Sequence, residues 1–444
     1  MITSRITTRI VGFAVLLTSG SAYSQTLEAG VARVDITPPP GISLQGYPGS
    51  GRVATGVRDP LYARVLVLRA GLQSMGLVDL DLIAPLEADY VRQLREAVRP
   101  DLSYVLVTAI HTHSGPPLIA NSSPVPQDWE LSTVRKITDA IHQALTHAVP
   151  VRLGVGYGVA YIGHNRLRAE RDGGVTWFEK NWTAISTSPV DPTVAVIRID
   201  DMTGNTLAIL ANYACHPVIF GPDSSLFSAD FPGIMTQTIE KTIGGRALCF
   251  FLQGAAGDIN PLYAVTPLSE GAVELYERTG SELGRVAAAI AQQVRTELDS
   301  APSLQFAEDT LAFAPRWNAS KWLAADRKNA ATIAAKTKPE YALPVAIILI
   351  NRQLAFLGLP GEPFVDFQRQ WRTRCPVRDC FLLGYANAYY GYFPTIDAAT
   401  RGGYGAAHPS TWIEVGAGER MLDHAVGRVY EMLGRIGPVP EDLR

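Results

Sequence analysis

Apolar and polar positions are grouped in blocks along the chain. The runs Tyr104–Ile110 (YVLVTAI), Leu207–Ala214 (LAILANYA), Ala247–Leu252, Val345–Ile350, Leu354–Leu359 and Cys380–Gly384 have the length of buried strands. Between them the pattern turns helical, over Ala88–Val98, Ser132–Ala148, Pro232–Thr242, Gly280–Leu298 and Gly418–Leu433. The polar, Ala- and Lys-rich stretch Arg316–Glu340 reads as an exposed helical insertion. Strands alternating with helices predict an α/β protein. No repeat, low-complexity linker or domain boundary interrupts the pattern after residue 30, so residues 25–444 are expected to form one catalytic domain.

The first 24 residues stand apart. Met1–Ser24 carries Arg5 and Arg9, then the apolar run Ile10–Leu17, then Ser-Gly-Ser-Ala-Tyr-Ser, the order of a secretory signal cleaved before Gln25. Its apolar part is shorter than the roughly 20 residues that span a bilayer. No later stretch is long enough either, so an exported, periplasmic or secreted protein without a transmembrane segment is expected.

Composition narrows the partners. The 444 residues are 47% hydrophobic and only 18% charged, which excludes a disordered chain or a coiled coil. The net charge is −3 with no basic stripe, so nucleic acid is not an expected partner. Four cysteines are too few for a disulfide framework. Cys375 and Cys380 flank a short loop and have the spacing to pair in an oxidising compartment, whereas Cys215 and Cys249 read as buried thiols.

The candidate chemistry lies where the strands end. Tyr104–Ile110 runs into His111-Thr-His113-Ser-Gly-Pro, and Leu207–Ala214 into Cys215-His216-Pro. Ala247–Leu252 runs into the glycine-rich Gln253–Pro261, Leu354–Leu359 into Pro-Gly-Glu362-Pro, and Cys380–Gly384 into the tyrosine segment ending at Tyr392. In α/β proteins the carboxyl ends of strands carry ligand sites, so these exits point to one shared site. If the strand continues through them, His111 and His113 face the same side and offer imidazoles to a metal; read alone, the pair can equally cap a strand. His216 is either a ligand or a structural hydrogen-bonder, and Glu362 either a ligand or a turn residue. Gly254–Pro261 offers backbone amides to an oxyanion or is simply a tight turn. His142, His147 and His424 lie in helical patterns and read as ordinary, and the tyrosines read as packing aromatics. These features amount to an exported α/β metal hydrolase with His and Glu ligands.

At these residues the chain resembles the neutral/alkaline ceramidase family of zinc amidases. The resemblance runs through Ala29-Gly-Val-Ala-Arg-Val-Asp-Ile-Thr-Pro-Pro-Pro, Leu44-Gln-Gly-Tyr and Gly56-Val-Arg-Asp-Pro-Leu-Tyr-Ala-Arg. It continues through His111-Thr-His-Ser-Gly-Pro, Asn165-Arg166, His216-Pro, Gly257-Asp258, Pro360-Gly-Glu362 and Tyr392. It implies a large mixed sheet with the site at strand C-terminal ends, and one Zn²⁺ per chain held by His111, His216, Glu362 and Tyr392. It further implies His113, Arg166 and Tyr404 as catalytic groups, and gives Asp81 at most a supporting place. The substrate implied is a small molecule or lipid with an N-acyl amide, such as ceramide, met in peripheral contact with a membrane. Other N-acyl amines, peptides or esters remain alternatives, as does a non-catalytic lipid- or glycan-binding relative. Two departures stand out: Asn260 occupies the place of a family serine, and no C-terminal β-sandwich domain is expected before Arg444.

Overall fold

The apolar runs become strands whose bounds differ from the sequence pattern mostly by a residue or two. The computed structural model describes residues 26–47, 50–116, 127–318, 320–321, 338–407 and 410–437. The leader Met1–Ser24, most of the predicted insertion Arg316–Glu340 and most of the loop Pro116–Trp129 lie outside the described residues.

One mixed sheet contains β1 (Leu27–Asp35), β2 (Tyr62–Ala70), β3 (Gln73–Leu80), β4 (Tyr104–Ala109), β5 (Val149–Val159), β6 (Thr193–Asp201), β7 (Thr206–Tyr213) and β8 (Leu248–Gln253). Their order is β8-β7-β6-β5-β1-β2-β3-β4. A second sheet contains β9 (Leu304–Phe313), β10 (Tyr341–Ile350), β11 (Leu354–Gly358) and β12 (Asp379–Leu383), in that order. Outside them pack α1 (Ala88–Val98), α2 (Gln127–Thr146), α3 (Phe231–Ile243), α4 (Ala272–Gln293), α5 (Val365–Arg374) and α6 (Ala417–Met432).

Within these two sheets most strand pairs are antiparallel. The exceptions are β3–β4, β7–β8 and β11–β12, all parallel and all at a sheet edge. A parallel pair needs a crossover, and α1, α3 and α5 supply the three. The strands of those pairs therefore point the same way, which places their exits together.

Strand alternation explains why the runs are apolar throughout. Val65, Val67, Val78 and Val107 face α1–α4, against Leu94, Ile137, Ile141 and Met235. Leu66, Leu68, Leu77 and Leu106 face the second sheet, against Ile348, Ile350, Phe356 and Phe381. The far side of that sheet (Ile347, Leu349, Leu357, Leu382) packs on Phe367, Trp371, Met421 and Leu422. The layers run helix, sheet, sheet, helix, and a strand buried on both faces has no polar side to show. Each fully buried Leu or Ile contributes about 1.5–3 kcal/mol.

Helix α2 starts at Gln127, five residues before the expected Ser132, the start of α4 also differs, and the cysteine pairing that the sequence left open is decided. Helix α4 starts at Ala272, not at Gly280, because Gly280 and Gly284 lie inside it where α3 crosses. A Cβ at Gly280 would meet the Phe231 carbonyl at 2.5 Å, and one at Gly284 the Met235 carbonyl at 3.0 Å. The glycines permit close packing; they do not mark the helix start. Cys375 and Cys380 are separate buried thiols, the latter donating to the Val377 carbonyl at 3.5 Å, as Cys215 and Cys249 are also unpaired.

Candidate metal centre

The loop after β4 is not an extension of the strand. Pairing ends at Ala109, and His111 has φ 68°, a left-handed conformation costly for a residue with a Cβ. The expected same-face arrangement of His111 and His113 thus fails as a strand argument. The turn itself brings the rings together, with the two Nε2 atoms 3.2 Å apart and the planes at 83°.

His216 follows β7 and is fully buried. One side chain ties its loop to that of His111. Gln253, at the end of β8, donates from Nε2 to the carbonyls of Ile110 and Cys215, both at 2.9 Å, and accepts from the Cys215 amide at 3.2 Å. The second sheet contributes Glu362 from the turn after β11. Glu362–Pro363 pairs in parallel with Tyr392–Phe393, placing Glu362 in register with Tyr392.

The donors converge. Glu362 Oε2 lies 3.0 Å from His216 Nε2 and 3.6 Å from His111 Nε2. Tyr385 donates to the same oxygen at 3.3 Å, and Tyr389 donates to Oε1. The Tyr385 ring also stacks on His111, with centroids 4.2 Å apart. His111, His113 and His216 each place a ring nitrogen within 4.8 Å of the others, a cluster able to hold a metal ion.

The chemistry of these donors fits zinc. Ligands at about 2.0–2.1 Å from a tetrahedral ion stand about 3.3 Å from one another, close to the separations above. His111 Nδ1 is engaged by the Ile83 carbonyl at 2.5 Å, and His216 Nδ1 by the Ala256 carbonyl at 2.6 Å. Both rings are thereby fixed with Nε2 turned inward, the usual outer support of a metal-binding histidine. The Nδ1 of His113 is buried without a hydrogen-bond partner. His113 therefore lacks the anchoring that the other two share.

Burial strips water from the three imidazoles and pushes their pKa values down, that of His111 to about 4. All three present free lone pairs at neutral pH. Burial works against the Glu362 carboxylate, but the neighbouring His111 and His216, with the Tyr389 hydroxyl, outweigh it and hold its pKa at about 2.

A second group adjoins this one. Arg166 donates from Nη2 to the Tyr392 hydroxyl at 2.9 Å and to the Gly257 carbonyl at 2.7 Å. Its guanidinium lies over the rings of Trp177, Tyr392 and Tyr404. Tyr404 and Trp177 meet edge to face and are both nearly half exposed, so this side opens to solvent. Asp81 does not touch the cluster; it forms a buried ion pair with Arg64 at 2.6 Å, two residues before Ile83.

Gln253, Asp258, Tyr385 and Tyr389 are not singled out individually by the sequence. Asp258 joins Asn165 Nδ2 at 2.7 Å to the Val365 amide at 2.8 Å, and burial raises its pKa to about 7. The signal for Gln253 and Asp258 was polar residues in an otherwise apolar strand exit, CFFLQGAAGDIN. The tyrosines had none, because a phenol that packs and one that donates look alike in sequence.

The family profile described as "Neutral/alkaline non-lysosomal ceramidase, N-terminal" matches residues 27–267. Neutral ceramidase A of Dictyostelium discoideum is 25% identical over 274 residues, covering 56% of this chain. The chain spans 37% of that relative's length. Among solved structures, neutral ceramidase from Pseudomonas aeruginosa matches with a TM-score of 0.74 at 19% identity, covering 94% of this chain and 76% of the other. A ceramidase complexed with C2 matches with a TM-score of 0.72 at 18% identity, covering 94% and 78%. With the profile spanning more than half the chain and the fold shared over nearly all of it, the chain belongs to the neutral/alkaline non-lysosomal ceramidase family.

Proposed function

We propose that this chain is an exported, zinc-dependent amidohydrolase that cleaves the N-acyl amide of ceramide or a related N-acyl lipid. The observation that carries the reading is the convergence of His111, His216 and Glu362 beside an unanchored His113. Family membership supports the substrate class, and the leader pattern of Met1–Ser24 supports export. A lipid substrate brings the protein to a membrane surface, and among the described residues no helix is long and apolar enough to cross one.

In this reading His111, His216, Glu362 and Tyr392 hold one Zn²⁺. When bound, the ion supplies polarisation of an amide carbonyl and a bound water of pKa about 7. The positions of the chain's own groups support the following roles. Neutral His113, whose Nε2 faces His111 Nε2 at 3.2 Å, takes a proton at that nitrogen from the attacking water and returns one to the leaving amine. Arg166, with the Tyr404 hydroxyl, offers positive charge and a donor to the oxyanion that forms at the carbonyl. Tyr385 and Tyr389 hold the Glu362 carboxylate in its orientation.

The test is release of fatty acid from ceramide by the purified protein, before and after removal of metal by a chelator. Turnover lost on chelation and restored by zinc supports the reading. A folded protein that carries zinc but leaves ceramide intact points to another N-acyl or ester substrate. A folded protein that neither turns over ceramide nor binds zinc leaves the lipid- or glycan-binding alternative.

A further inference from the structure

Asn260 stands next to the site and takes no part in the chemistry above. It is buried, on the short strand Ile259–Pro261 that pairs with Gly163–Asn165, directly opposite His164. Its Oδ1 accepts from Arg166 Nη1 at 3.1 Å, and its Nδ2 donates to the Glu179 carbonyl at 3.3 Å. The orientation of the amide is chemically determined, because a guanidinium only donates and a carbonyl only accepts. Among the described residues, Asn260 and Tyr392 are the side chains that accept from the Arg166 guanidinium.

The Glu179 carbonyl belongs to the segment that forms one wall of the opening. That segment carries Trp177, which covers Arg166 and meets the Tyr404 ring edge-on at 5.2 Å. Backbone bonds hold it at either side, from the Phe178 amide to the Arg166 carbonyl and from the Asn181 amide to the Leu262 carbonyl. Between these anchors two side chains tie the segment to the interior: His164 Nε2 bonds the Phe178 carbonyl at 2.7 Å, and Asn260 bonds the Glu179 carbonyl, as the one of the two that also holds Arg166.

We infer that Asn260 is a positioning residue that couples the Arg166 guanidinium to the 177–182 wall of the opening, so that one amide sets both the cation's direction and the wall's closeness to substrate. The inference rests on the amide-hydrolase reading for its kinetic consequence, though not for its structural one. A serine hydroxyl can both donate and accept, but it is one bond shorter and puts one oxygen where the amide has two separate atoms, so it falls short of the two contacts that Oδ1 and Nδ2 make. Aspartate keeps the acceptor for Arg166 and loses the donor to Glu179, which separates the two halves of the coupling.

The experiment compares the full chain with Asn260→Ala, Asn260→Ser and Asn260→Asp. It measures kcat and KM for ceramide, bound zinc, and hydrogen exchange over residues 177–182. For Asn260→Ala we expect zinc retained, exchange of the segment at least about tenfold faster, and kcat/KM about tenfold or more lower, the scale of one lost hydrogen bond near the reacting groups. Asn260→Ser should follow the alanine variant. Asn260→Asp should exchange as fast as alanine while raising KM more than it lowers kcat, since Arg166 remains held. If Asn260→Ala fails to fold, the aspartate variant carries the test through its exchange rate and the split between KM and kcat. Exchange over 177–182 within twofold of the parent in the folded variants overturns the coupling. A fully active serine variant overturns it as well. If the parent protein cleaves no ceramide, the proposed function fails by itself, and the exchange comparison still decides the tether.

Discussion

Three histidines share one small volume, and the second nitrogen of each ring distinguishes them. Backbone carbonyls hold Nδ1 of His111 and His216, whereas His113 has no such partner. Replacing His111 or His216 by alanine is expected to abolish zinc binding, measured as metal per chain after dialysis. His113→Ala should retain the metal and lose about a hundredfold or more in rate, the usual worth of a positioned acid or base; a fully active variant would remove His113 from the mechanism. Tyr389 acts one step further out, through Glu362 Oε1. Tyr389→Phe leaves that oxygen without its donor, and zinc affinity should fall about 10- to 100-fold in a competition titration.

At the scale of elements, the site depends on turns that pass very close to one another. The β8 exit and the turn after β11 meet at Gly257, where an added Cβ would lie 2.5 Å from the Glu362 carbonyl and 2.8 Å from that of Pro363. Both obstacles are backbone, so neither can swing aside. Gly257→Ala should push the Glu362 turn away from the histidines and cost about 1–3 kcal/mol of stability, the range for overpacking. Chemical denaturation measures the stability loss and zinc titration the displacement. An alanine variant with unchanged stability and metal affinity would show that the turns have more room than this geometry allows.

The whole molecule carries a buried charge cluster that sets part of its pH response. Asp79 on β3 lies fully buried beside Asp81, Arg64 and Thr108, and burial raises its pKa to about 7 even though Arg64 opposes the shift. Its folded value exceeds the unfolded value of about 3.9, so the native state retains a proton that the unfolded chain releases. This contribution to stability is present below about pH 4 and is lost as pH rises towards 7. The slope reaches at most about 1.4 kcal/mol per pH unit for a single proton. Asp79→Asn cannot titrate and should flatten that part of the profile in thermal melts between pH 4 and 7. An unchanged slope would assign the pH response to other groups, Asp230 and Asp258 being the next candidates because burial raises both to about 7.

Much of this architecture was legible in the order of residues, because the signals are local. Apolar runs of strand length, helical stretches between them and glycine, proline or histidine at the exits follow from side-chain periodicity and turn chemistry within a few positions. Such signals suffice for the α/β class, for α1 at its observed bounds and for the five exits that converge, but not for the start of α4 or the cause of the His111–His113 pairing. A glycine that admits a crossing helix resembles one that ends a helix, and a left-handed residue at φ 68° leaves no mark in a strand-like sequence. What only the tertiary structure decided are contacts between distant segments. Glu362 meets His216 across 146 positions, and Asn260 meets Arg166 across 94. Gln253 joins two loops that no sequence period relates. The reason is physical: periodicity selects the buried face of each element, whereas the packing of the two sheets and the parallel order of their edge strands select which exits become neighbours.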